Sequence, residues 1–112
     1  MTQEDRYLLL KDLSGRLTTD VKVVIIDNPT KILYLNGGML DLMSEGKVKY
    51  KPFLRPMSSM TEDEEREFEE TLQYTQYTLE SYDWLNAHHF DYRGLIEKGL
   101  AIAVTDENNP YK

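Results

Sequence analysis

His88 and His89, followed by Asp91, form the one grouping in the chain with metal-ligand chemistry. Adjacent residues on a helix project about 100° apart, so the two rings do not converge on one ion as histidines four residues apart can. Asp83 or Asp91 could supply a third ligand, and nothing in the spacing supplies a fourth. The simpler role is structural: one ring packs under a helix end, or both rings favour its negative pole. That role is the expectation, and no cofactor is expected. A metal-dependent enzyme on His88, His89 and Asp91 ranks a distant third.

Residues 62–70 hold seven acids, Glu62, Asp63, Glu64, Glu65, Glu67, Glu69 and Glu70, against one arginine. Glu65 and Glu69 are four apart, the spacing of a carboxylate pair on one helix face. A general acid needs an apolar pocket to raise its pKa, whereas a run of like charges at a helix start is solvated by default. The acids therefore read as a surface, one that could bind a basic partner or imitate nucleic-acid phosphates. The segment carries -6 of the chain's net -7, so the other 103 residues carry -1.

Just upstream, Lys47, Lys49, Lys51 and Arg55 form a basic cluster. Such residues can contact phosphate, with Tyr34, Tyr50 or Phe53 stacking on bases. Lysines on an exposed strand face also guard against edge pairing. A four-residue patch is a small electrostatic footprint, and nucleic-acid binding takes second place. Arg93, beside Asp91 and Tyr92, could build a polar network or hold an anion. Tyr74, Tyr77, Tyr82 and Trp84 exceed what one apolar helix face needs, and such residues are enriched at interfaces.

The chain has 112 residues, 40% of them hydrophobic, and can bury one core. It has no cysteine, which excludes disulfides, zinc–thiolate sites and thiol catalysis. Its acidic, polar start is unlike a signal peptide, and no apolar run nears the ~20 residues of a membrane span. A soluble, cytoplasmic chain with no membrane role is expected. Gly-rich phosphate loops, nucleophile triads and HExxH are missing, so enzyme is the weakest class.

The elements that position these groups follow from periodicity. Leu9, Leu10, Leu13 and Leu17 make a short helical stripe, weakened at Gly15. Val21–Ile26 is a β-branched strand, Asp27-Asn28-Pro29-Thr30 a turn, and Lys31–Leu35 a second strand. Asn36-Gly37-Gly38 can reverse the chain into a third strand, Met39–Met43. Lys47–Lys51 alternates as a fourth, and Pro52 and Pro56 end the sheet. Thr61 and Glu64 fit a capping box. Phe68, Leu72, Thr75, Leu79, Tyr82 and Leu85 then predict one amphipathic helix across 61–86, unbroken by proline or glycine. Asp91 could cap a short helix, 92–98, stopped by Gly99. Residues 100–104 read as a last strand and 105–112 as a frayed polar tail.

Two stretches, 51–62 (KPFLRPMSSMTE) and 83–101 (DWLNAHHFDYRGLIEKGLA), resemble a family of small uncharacterised proteins of gut Bacteroidales, often encoded in prophage or other mobile regions. Residues 11–17 (KDLSGRL) are similar to that family's N-terminal segment. The likeness covers most of the chain and is least in the strands between. Thr18-Thr19-Asp20 departs from a Pro-Tyr-Gly-like turn, and the tail also departs. The resemblance implies a mobile-element origin and no particular activity.

These readings converge on an α+β single domain over 1–112. Residues 1–56 are mainly β with a short N-terminal helix, 57–104 mainly helical with a last strand, and 105–112 a tail. The sheet is an antiparallel meander that could close as a small SH3-like barrel, packed by the long helix and the short terminal one. The expected function is a non-enzymatic interaction module. It would meet a protein partner, or a second copy, through the acidic helix start and the Tyr74, Tyr77 and Trp84 surface.

Overall fold

The computed structural model describes residues 2–112 and, of Pro29, the backbone alone. It is an α+β fold of four helices and a four-stranded mixed sheet. Helix α1 spans Gln3–Ser14. The Thr2 side chain accepts the Asp5 amide, acids fill the first turn, and Lys11 sits in the last, as capping and the helix dipole favour. Leu9 and Leu13 are fully buried, but the helix stops before Leu17, which is exposed.

Strand β1 (Lys22–Ile25) pairs antiparallel with β2 (Asn28–Tyr34), placing Lys22 opposite Tyr34 and Val24 opposite Ile32. The connection is Ile26–Asp27, so the strand resumes inside the stretch expected to turn. Ile25 then faces Asn28, a register shift that puts a bulge in β2. The expected contribution of the Pro29 ring lies outside the described residues.

The expected third strand is a helix, α2 (Gly37–Ser44). Asn36 accepts the Met39 amide and acts as its N-cap. Met39, Leu40, Leu42 and Met43 have unbranched β-carbons and lose little freedom in a helix, so the cap decides the outcome.

Strand β3 is Tyr50–Leu54, later than expected, and includes Pro52. The Ile26 amide donates to the Lys49 carbonyl. Hydrogen-bonded pairs therefore alternate from there, and the Val23–Pro52 pair is one that needs no amide from proline. Strand β4 (Ile102–Ala103) joins β3 in parallel, giving the order β2-β1-β3-β4. The sheet is mixed, neither a meander nor an SH3-like barrel.

One core joins Leu9 and Leu13 of α1, Met43 of α2, and Val23, Tyr50 and Leu54 of the sheet with Leu95 and Leu100. The expected long helix is two: α3 (Glu62–Thr71) and α4 (Leu79–Ala87). Thr61 and Glu64 form the expected capping box, and a second one, Thr78 with Ser81, starts α4. β-Branched and aromatic residues crowd 71–78, so the second cap overrides the apolar period. Phe68, Leu85 and Phe90 make a separate small core under this hairpin.

Residues 92–99 form turns instead of the expected helix. Both oxygens of the Asp91 carboxylate accept amides, those of Leu95 at 2.8 Å and Ile96 at 2.9 Å. The tail is packed rather than frayed, because Tyr111 reaches between β1 and β3. Among the described residues, no helix is long and apolar enough to cross a membrane.

Candidate functional site

The α3–α4 junction is built by two hydroxyls on one carbonyl. Thr78 donates to the Thr71 carbonyl at 2.8 Å and Ser81 donates to it at 3.0 Å. Beyond this knot Gln73 and Gln76 exchange both backbone bonds, at 3.1 and 3.0 Å, leaving Tyr74 and Thr75 at the tip. Tyr74 has φ +61° and Thr75 is not left-handed. A positive φ at the first central position only is the type II′ pattern, where glycine is preferred.

A tyrosine there costs on the order of 1 kcal/mol. Tyr74 is nevertheless 93% exposed, and Leu79, across the junction, is 84% exposed. Tyr77 is half-exposed and meets Phe68 edge-on at 5.2 Å. Trp84 lies deeper: it stacks parallel to Phe90 at 5.7 Å and covers His88 at 4.0 Å. It belongs to the small core more than to the surface.

Six of the seven acids are exposed: Glu62, Asp63, Glu65, Glu67, Glu69 and Glu70. Asp63 pairs with Arg66. Glu64 is different. Arg55 grips it with two bonds of 2.7 Å, and it also accepts the Thr61 amide. The Arg55 guanidinium holds its carboxyl down at about 2. From Glu67 to Ala87 the chain has acids and no lysine or arginine, while Lys11 and Arg93 share a cleft with Tyr77 and Tyr82 at the base of the hairpin.

The basic cluster is dispersed. Arg55 is taken by Glu64 and lies over the Phe90 ring at 4.2 Å. Lys47 pairs with Glu45. Lys49 and Lys51 remain together, in a cleft with Lys98. Tyr50 and Phe53 are buried and offer no stacking face, while Tyr34 is exposed with Lys22 over its ring.

The two histidines and Asp91 face three different ways. His88 Nδ1 approaches Glu64 at 3.8 Å, Asp91 serves backbone amides, and His89 stacks flat on Tyr111 at 3.9 Å. His89 has φ +64° and an unpartnered buried Nδ1. Burial, with the Arg16 charge nearby, lowers its pKa to about 4. Among the described residues no three His, Asp or Glu side chains gather to hold a metal.

Sequence reasoning missed the fully buried pair of Asp12 and Arg16, 2.8 Å apart. Arg16 also donates to the Phe90 carbonyl at 2.7 Å, and Arg93 approaches Asp12 at 3.3 Å. Arg93 thus adds its charge beside Asp12 without a hydrogen bond from Nε, its guanidinium over the Tyr92 ring. The available signal was the i, i+4 spacing of Asp12 and Arg16. The chain matches no protein-family model, no curated protein and no solved structure.

Proposed function

We propose that this chain is a protein-interaction module whose contact is the α3–α4 hairpin tip. The carrying observation is Tyr74, a large aromatic held at a glycine-type backbone position with nearly all of its surface in water. Strained residues of this kind cluster where function requires a fixed side chain. Tyr74 and Leu79 supply the apolar anchor, and two capped helices keep it rigid, which lowers the ordering cost of binding.

The flanking charges support a basic partner. Glu69 and Glu70 end α3 and Glu80 begins α4, all exposed, with no cation between them in sequence. The complementary surface is an apolar pocket rimmed by lysine or arginine on another protein. Charge of one sign accelerates association and makes it salt-sensitive. The resemblance to mobile-element proteins suits a module that docks on a host or phage component.

The test places a photo-reactive phenylalanine analogue at position 74 and irradiates the chain in a lysate of its source cells. One dominant adduct, reduced by high salt and by Glu69→Gln with Glu70→Gln, supports the reading. Its cross-linked peptide should lie beside basic residues. An adduct pattern identical to that from a probe at exposed Thr30 defeats it.

A further inference from the structure

A cavity lies away from the hairpin, between the start of α1 and the loop after α2. It measures about 280 Å³ and is lined by Thr2, Gln3, Arg6, Met43, Val48 and Lys49, with Gly46 at its edge. That is just under the roughly 300–1,000 Å³ of drug-sized ligand pockets, so it suits a small molecule. Met43 is buried in the main core and Val48 packs against that core, giving the cavity an apolar floor.

Its charged wall is unspent. Arg6 is half-buried, yet it makes no ion pair among the described residues, and neither does Lys49. Space for the Arg6 guanidinium is kept by Gly46, where a Cβ would stand 3.2 Å from Nη1. Gly46 also sits at φ +74°, so a side chain there would be strained as well as crowded. Lys49 is shared with the adjoining cleft, where Lys51 and Lys98 outnumber the lone acid Asp5. The local field is therefore positive in a chain of net charge -7.

We propose that this cavity binds a small organic anion: an acid headgroup held by Arg6 and Lys49, on a short apolar body lying over Met43 and Val48. A guanidinium fork engages carboxylate or phosphate with two parallel hydrogen bonds, and Lys49 adds a point charge. Both headgroups share this chemistry, so the ligand is either a short carboxylic acid or a phosphate monoester. The site is independent of the hairpin.

Calorimetric titration of the full chain with hexanoate, hexyl phosphate and hexanol tests this directly. At least one of the two acids should bind about 10-fold or more tightly than hexanol, the range of a charged hydrogen bond. Preference between the acids names the headgroup. Arg6→Gln should weaken that acid by about 10-fold or more, since it removes the forked donor. Lys49→Gln, at an exposed residue whose backbone bond to Ile26 the substitution keeps, should weaken it less and leave hexanol unchanged. Hexanol binding as tightly as both acids, or no acid binding at all, overturns the proposal. So does wild-type affinity in both variants.

Discussion

Lys22 and Phe53 are joined through a third residue: the Tyr111 hydroxyl accepts the Lys22 amide at 2.9 Å and donates to the Phe53 carbonyl at 2.8 Å. The register that pairs Val23 with Pro52 brings these two residues opposite each other next. The phenol therefore completes the ladder where β1 and β3 part. Tyr111→Phe keeps the ring but leaves two backbone groups without this partner. It should cost about 1–3 kcal/mol in urea unfolding. An unchanged midpoint would show that water replaces the hydroxyl at no loss.

The buried Asp12–Arg16 pair should be costly to halve. Asp12→Asn leaves Arg16 and Arg93 facing one another beside a neutral amide. A loss of about 3–5 kcal/mol is expected. Asp12→Leu combined with Arg16→Met should be milder, because no uncompensated charge stays buried. Chemical denaturation of both variants checks the order. A double variant less stable than Asp12→Asn would refute it.

Two acid-linked losses of stability should separate along the pH axis. His89 drops from the ordinary 6.5 to about 4 in the fold, so between these values the unfolded chain binds the extra proton. Its contribution is whole above pH 6.5 and is lost as pH falls towards 4. Glu64 drops from 4.5 to about 2, chiefly through Arg55. Its contribution is whole above 4.5 and is lost towards 2. His89→Gln should flatten the upper limb of a stability–pH curve and Glu64→Gln the lower. Parallel curves for all three proteins would contradict both assignments.

Tyr74→Gly should uncouple stability from binding. Glycine fits the positive φ, so thermal stability should hold or rise by up to about 1 kcal/mol. Capture of a partner through the tip should fail. Loss of stability in this variant would mean that the exposed ring supports the hairpin, which would undermine the proposed function.

Local signals were legible where they acted alone. The Thr61–Glu64 capping box, the β-branched run of β1 and the α1 stripe through Leu13 all form as read. The errors lie where two local signals competed. Asn36 both permits a turn and caps a helix, and the cap won. The apolar spacing from Phe68 to Leu85 is helical throughout, yet Thr78 and Ser81 cap a new helix and leave Leu79 in water. Long-range pairing was not legible at all. Nothing near Ile102 announces a parallel partner, and nothing near Tyr111 announces Lys22. Of the residues expected at an interaction surface, Tyr74 and six of the seven acids are exposed. Trp84, Glu64 and Arg55 are occupied internally, and Arg6 was overlooked because its setting is built by residues forty positions away.

The Tyr111 bridge also sets a schedule for the newborn chain. Its hydroxyl meets an amide 89 residues upstream. At ~5–20 residues per second, a ribosome takes roughly 4–18 s to make the intervening chain. Strand β3 exists for only the last 58 of those residues, roughly 3–12 s at that rate, and for that time its junction with β1 stays unclosed.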